Sequence, residues 1–265
     1  YADVLKDAQE LGYAESDPAA DVEGSDAADK IAILSGLAFG GAINRADIPT
    51  IGINHLEAID VNYARKLGYG IKLLAISERG ISISNNAKSH PLSVWVEPTL
   101  VPEDNPLAGV NGVNNAILVE GNPIGQVMFF GPGAGSGPTA SAVVADILNI
   151  AGIQSTSENK NFNLDPLLSA KSWRKCHVAE KKEITKKNYI RLIAEDTPGV
   201  IGEIGTIFGK KKISIESIVQ FDASNNEAEI VVITHKIKLG QLEKALLDIK
   251  ELPQVKSIAA TMGCL

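Results

Sequence analysis

Apolar positions at the start of the chain recur at helical spacing, Val4, Ala8 and Leu11, with Gly12 placed to end the helix. Two polar loops follow, Tyr13–Pro18 and Asp21–Gly24, and Ser25 stands as an N-cap for a second helix from Asp26 to about Gly36. From Tyr69 the period shortens. The runs Ile71–Ile76, Val94–Val101, Ala116–Glu120 and Gln126–Phe130 are β-rich, separated by turn signals such as Glu78-Arg79-Gly80 and Glu120-Gly121-Asn122-Pro123. They predict one sizeable mixed sheet with helices on one face. The glycine-rich run Gly131–Pro138 then opens a helix over Thr139–Ile150. Beyond Gly152 the sequence turns polar, and Gln154–Asn163 reads as a linker or insertion.

The rest of the chain changes pattern again. Tyr189–Ala194 predicts a strand, Gly199–Lys211 a helix, Ile213–Phe221 and Glu229–Thr234 strands, Leu239–Glu251 an amphipathic helix, and Val255–Met262 a closing strand. That order, βαββαβ, is the ferredoxin-like split unit. Both its helices pack on one face of a four-stranded sheet, so the other face or an edge needs cover, which a second copy would provide. The chain thus reads as α/β (α+β), with a mixed-sheet domain over 1–152, a linker over 153–185 and the ferredoxin-like unit over 186–265.

Composition narrows the function. The 265 residues carry a net charge of -7, which excludes a chain built mainly to bind nucleic acid. Their 24 Gly and 12 Pro exclude collagen-like and disordered classes. The 2 cysteines, Cys176 and Cys264, make neither a disulfide scaffold nor a CxxC zinc pair, which reads as a reducing, cytoplasmic setting. The most apolar stretch, Ile31 to Ile43, is too short to span a bilayer. The chain opens at Tyr1 inside an amphipathic helical pattern, and it reads as the later part of something longer.

Three places carry chemistry. Asp26 and Lys30 are spaced i, i+4, on one helix face, with Glu15 and Asp21 in the loops that lead to it. Carboxylates keep a lysine protonated, so Lys30 could donate a proton to a carbonyl oxygen gaining charge, while spare acids hold a substrate ammonium. The same spacing also fits an exposed ion pair with two ordinary loop acids. The run Gly131–Thr139 follows a strand and opens a helix, which favours close approach of an anion. It does not match G-x-G-x-x-G, and a ligand-free tight turn fits it as well. In Asp196-Thr197-Pro198-Gly199-Val200-Ile201 a strand meets a helix through Pro and Gly, exposing backbone N–H groups. The basic stretch between Lys171 and Lys187 reads as a solvated connector or an anion patch. His55, His90, His177 and His235 share no metal-ligand spacing, no metal site is expected, and Trp95 reads as sheet packing.

The run from Leu11 to Lys30, with its G-[aromatic]…DP…D-x-x-G-x-D…K spacing, resembles the signature of homoserine dehydrogenases. The resemblance continues through Gly68–Ala75, Asn114–Ile117 and Gly131–Asp146. It implies that residues 1–152 are a substrate-binding and dimerisation domain of an enzyme interconverting L-homoserine and L-aspartate 4-semialdehyde with NAD or NADP, in threonine and methionine biosynthesis. By it, Lys30 is the proton donor, Asp26 and Asp21 position substrate and lysine, and Glu15 binds the substrate amino group. Gly135, and Gly133 beside it, would touch the cofactor where residues 131–150 return to the nucleotide-binding domain. That Rossmann domain, a second catalytic lysine and most of a monovalent-cation site are expected ahead of Tyr1. The 265 residues alone are therefore expected not to transfer hydride. Where many relatives have a histidine, this chain has Asn105.

The Asp196–Ile201 run and its element order resemble the ACT domain, a module that binds amino acids between paired copies. This implies an effector site at Asp196, Gly199, Val200 and Ile201, faced by Ser214 to Ser217 across the pairing surface, with L-threonine the natural effector. A homodimer or homotetramer follows, with no nucleic-acid or membrane partner. The rival reading is a non-catalytic amino-acid-sensing subunit that keeps the fold without the cofactor.

Overall fold

The computed structural model describes residues 6–7, 9–10, 17–79, 91–156, 174–175, 177–221 and 226–265. Lys6, Asp7, Gln9 and Glu10 are helical, while Val4, Ala8, Leu11 and Gly12 lie outside the described residues. The short helix α1 (Ala19–Val22) turns through Glu23 and Gly24 into α2 (Ser25–Phe39), which Gly40 ends in the left-handed region. Ser25 is therefore not the N-cap. Gly24 holds that place at φ 80, and Ser25 Oγ donates instead to Ala20 O. The short strand β1 (Gly41–Ala42) follows, then α3 (Ala58–Lys66), β2 (Tyr69–Arg79) and β3 (Leu92–Pro102). After these come the hairpin β4 (Asn114–Gly121) and β5 (Gly125–Pro132), the long helix α4 (Ser136–Thr156) and β6 (Arg174–Lys175). The remaining elements are β7 (Thr185–Glu195), α5 (Val200–Lys210), β8 (Ile215–Phe221), β9 (Glu227–Thr234), β10 (Ile237–Lys238), α6 (Leu239–Lys250) and β11 (Val255–Cys264).

The chain divides into two compact units, residues 1–19 with 103–172 and residues 20–102 with 173–265. In the first, β4 and β5 pair as an antiparallel hairpin from Asn114↔Pro132 to Gly121↔Gly125. Its α4 exposes Val143, Val144, Ile147, Leu148 and Ile150. Asn105 caps the single helical turn Pro106–Gly109 by accepting from Leu107 N–H at 3.0 Å.

The second unit is built on the sheet β2-β3-β11-β7-β9-β8. The sequence pattern predicts that the four β-rich runs before residue 132 form one sheet, and they do not. Instead β2 and β3 extend the sheet of the ferredoxin-like module, and β4–β5 is a separate two-stranded sheet. The join is a short parallel pairing of Gly263 and Cys264 in β11 with Thr99 and Leu100 in β3. Gly263 permits it, because a Cβ there would lie 2.5 Å from Glu97 Oε1 and 3.0 Å from Thr99 Oγ1. Within the module the order β11-β7-β9-β8, all antiparallel, is that of the split βαββαβ unit.

Alternation along β7 puts Ile190, Leu192 and Ala194 on the face that α5 and α6 cover, in a core with Val200, Ile204, Phe208, Ile230 and Ile249. The opposite face carries Tyr189 with Val231, Ile233 and Met262, and this face needs no second copy to cover it, while β8 stands at the edge of the sheet. Tyr63 and Ala64 of α3, with Leu100 of β3, bury that face from within the same chain. A third core joins α2, through Ala28, to Val94 and Val96 of β3. Among the described residues no helix is long and apolar enough to cross a membrane.

Candidate functional site

The acidic turn is organised by glycine. At φ 80 Gly24 reverses the chain between α1 and α2, and a Cβ there would meet Thr50 Cγ2 and Val96 Cγ1 at 3.3 Å. Ala28 N–H closes the first helical bond onto Gly24 O at 3.0 Å. The helix so begun carries Asp26 in its first turn, where a carboxylate suits the dipole, and Lys30 one turn on. Lys30 Nζ donates to Asp26 Oδ2 at 2.6 Å, with the two side chains 59% and 42% exposed. This lysine is held by a partner yet remains open to a ligand. Asp21 is exposed at the end of α1. Glu15 lies outside the described residues.

The glycine-rich turn divides its two candidates. Gly135 has φ 121, a conformation that favours glycine, and among the described residues only the Pro138 ring, at 3.5 Å, approaches the place of a Cβ. Gly135 O accepts from Thr139 N–H at 3.1 Å to begin α4, and among the described residues nothing lies within 4 Å of the place of a Cβ at Gly137. Gly133 has no such opening. A Cβ there would overlap the Asn115 amide, and Gly133 N–H donates to Val113 O at 3.1 Å.

In the ferredoxin-like module, Asp196, Gly199, Val200 and Ile201 come together in one hollow of ≈ 430 Å³. Gly199 caps α5 at φ 99, and Val200 is buried beneath while Ile201 is exposed. Sequence reasoning missed the hollow's residues from outside the turn, Gln220 of β8 and Ile230 of β9, and its flanking Glu195 and Gly202. Gln220 Nε2 donates to Asp196 Oδ1 at 2.8 Å and so orients that carboxylate. The Gln220↔Ile230 register would have found those two strand residues once the strand order was known. The Ser214–Ser217 run lies at the other end of β8.

Charges inside the second unit were missed as well. Arg191 of β7, 2% exposed, donates through Nε to Asp60 Oδ1 at 2.7 Å and reaches Glu229 at 3.3 Å, while Nη2 bonds Glu57. Burial works against that charge, but the bonds to Asp60 and Glu57 outweigh it and hold the guanidinium above its usual range. Tyr189 OH donates to Asp60 Oδ1 at 3.1 Å, and burial beside Asp60 pushes its pKa up. Lys186 and Glu97 form a second buried pair between β7 and β3, in which burial pulls the lysine down against the opposing pull of Glu97. Among the described residues of the basic stretch, Lys182 pairs with Glu180, Lys187 with Glu216 and Lys181 with Glu243. These partners favour the connector reading over an anion patch. Trp95 is buried in β3, as sheet packing requires. Among the described residues no group of three or more His, Cys, Asp or Glu could hold a metal.

Comparison with known proteins agrees along the whole chain. The family model for homoserine dehydrogenase matches residues 1–148, and that for the ACT domain residues 188–254. A homoserine dehydrogenase of Synechocystis sp. is 48% identical over 265 residues, covering 100% of this chain and 60% of the relative. One from Neisseria gonorrhoeae is 38% identical over 257 residues, 97% of this chain and 57% of that protein. The crystal structure of a homoserine dehydrogenase from Thiobacillus denitrificans superposes with a TM-score of 0.88 at 35% identity, covering 100% of this chain and 58% of that one. The chain thus spans about 60% of the length of the curated relatives it matches.

Proposed function

This chain belongs to the homoserine dehydrogenase family, and we propose that the complete protein interconverts L-homoserine and L-aspartate 4-semialdehyde with NAD or NADP. The observation that carries this reading is the Asp26–Lys30 pair, at 2.6 Å and half exposed, placed by the Gly24 turn. In the reducing direction the Lys30 ammonium gives its proton to the carbonyl oxygen as that oxygen gains negative charge. Asp26 holds the ammonium in place, Asp21 positions the substrate, and Glu15 binds its amino group. When bound, a nicotinamide dinucleotide would supply or accept the hydride at C4. The open approach at Gly135 and the free N–H groups beginning α4 fit it. Gly133, where a Cβ would overlap the Asn115 amide, keeps the backbone of the same turn bare beside Gly135 and is proposed to share that contact. Apolar residues exposed on α4 are consistent with docking on a nucleotide-binding domain. A monovalent cation belongs to this proposal only through the family.

The module's hollow is proposed to take an amino-acid effector, L-threonine first. Asp196, set by Gln220, faces its ammonium, and the N–H groups beginning α5 at Val200 and Ile201 face its carboxylate. We place the protein in the cytoplasm as a homodimer or homotetramer. The test is turnover of both substrates by the complete protein, with and without threonine. Lys30→Ala is expected to lower kcat by about 10²–10⁴-fold, the usual worth of a general acid. Full activity in that variant would remove Lys30 from the chemistry. Wild-type protein that binds threonine but turns over neither substrate would favour the sensing-subunit reading.

A further inference from the structure

The turn between α1 and α2 is gripped by a segment far from it in sequence. Ile53 N–H donates to Val22 O at 2.8 Å, Ile51 N–H to Val96 O at 2.8 Å, and Val96 N–H to Pro49 O at 2.9 Å. Thr50 thereby pairs with Val96 as an isolated parallel bridge. Pro49–Ile53 is a strap, laced to β3 on one side and to the backbone of Val22 and Glu23 on the other. Gly52 lies at the contact. A Cβ there would stand 2.6 Å from Glu23 Cα and 2.9 Å from the Glu23 carbonyl carbon, and closer still to Val22 O. All three are backbone atoms, so no rotamer change relieves them. Its φ lies outside the left-handed region, so space and not dihedral preference demands glycine.

We propose that Gly52 is a positioning residue of the reaction, because it lets the strap close on the turn and so sets Asp21 against the Asp26–Lys30 pair. The proposal rests on the activity assigned above. A carbon needs about 3.3 Å from a carbonyl oxygen, so any side chain at Gly52 displaces the turn by roughly 1 Å. The strap is tied to β3 by two backbone bonds, and the turn is the part that yields. Its two flanks then move unequally. The helix α2 is anchored through buried Ala28, Ser35 and Gly36, whereas α1 buries none of its residues. Asp21 therefore shifts relative to Lys30. Misplacement on that scale costs about 100-fold in rate.

The experiment is Gly52→Ala in the complete protein, with kcat and KM measured for homoserine and for the dinucleotide, alongside a thermal melt. The expected result is a kcat/KM for homoserine lowered about 10–100-fold, with the dinucleotide KM within about twofold of wild type. If Gly52→Ala does not fold, Gly24→Ala perturbs the same turn from within, by the strain of a non-glycine residue at φ 80 and by a methyl 3.3 Å from the Thr50 and Val96 side chains. It is expected to lose about threefold to tenfold in the same constant. A folded variant with wild-type kcat/KM and only a lowered melting temperature would make the strap merely structural and overturn the inference. A wild-type protein without homoserine turnover would instead overturn the activity it rests on.

Discussion

The Asp26–Lys30 pair and the cluster around Arg191 use the same chemistry in opposite surroundings. One stands at 2.6 Å with 42% and 59% of its side chains exposed; the other joins Arg191 to Asp60 at 2.7 Å, 2% and 0% exposed. An exposed helical pair contributes only about 0.3–0.5 kcal/mol, because water solvates either partner alone. A buried guanidinium has no such alternative, so each carboxylate around Arg191 is needed to keep the charge inside. The difference separates what the protein can spend on a ligand from what it must keep for itself. Lys30 is free to change partners. Arg191 is committed, and it holds α3 to the face of the module's sheet.

The largest effect should come from breaking that commitment. Arg191→Ala leaves the Asp60 carboxylate buried without a countercharge, bonded only to the Tyr189 hydroxyl and the Glu57 N–H, and is expected to destabilise the protein by about 3–5 kcal/mol in urea unfolding. Asp60→Ala should do comparable harm. The double variant should cost less than the sum by about 0.5–3 kcal/mol, because the second change removes a charge already orphaned. Additive losses would mean that the two residues are not a unit, and the contrast with the exposed pair would fail.

A second expectation concerns pH on the same buried face. Burial pushes the Cys264 thiol from its usual 9.0 up to about 11. Between those values the folded protein keeps a proton that the unfolded chain releases, so stability falls as pH rises through that window. Below pH 9 the contribution is constant. That rise corresponds to roughly 2–3 kcal/mol. The stability gap between wild type and Cys264→Ala should therefore narrow by about that much between pH 8 and pH 11. A gap that stays constant would show the thiol to be as free to ionise as an exposed one.

The same contrast explains what could be read before the fold was known. The i, i+4 spacing of Asp26 and Lys30, the order of the module's elements and the Asp196–Ile201 turn are local patterns, and local patterns survive into the structure. Arg191 is different. In Tyr189–Ala194 it alternates with Ile190 and Leu192, so it reads as the polar face of a half-exposed strand. What buries it is Asp60 on α3, 131 positions earlier, and no periodicity reports a partner at that distance. Gly52 was silent for a related reason. Its space is filled by the backbone of Val22 and Glu23, and backbone leaves no trace in residue types. The β-rich runs were found but grouped wrongly, since Gly263 beside Glu97 and Thr99 decides that β3 joins the module.

The smallest expected stability change is at the exposed pair, and there the comparison is tested from its other side. Removing Asp26 leaves Lys30 in water, so Asp26→Asn should alter unfolding free energy by no more than about 0.5 kcal/mol. If Lys30 has the role proposed above, catalysis should respond differently, because an untethered lysine spends its time over many rotamers and would present its proton to the substrate in few of them. A fall in kcat of about 10-fold or more with unchanged stability is the expected outcome. Loss of more than 2 kcal/mol would place Asp26 with Asp60, as a residue the fold needs. Unchanged kcat would make the 2.6 Å bond an ordinary surface pair and leave Lys30 to be positioned by Asp21 or by the substrate itself.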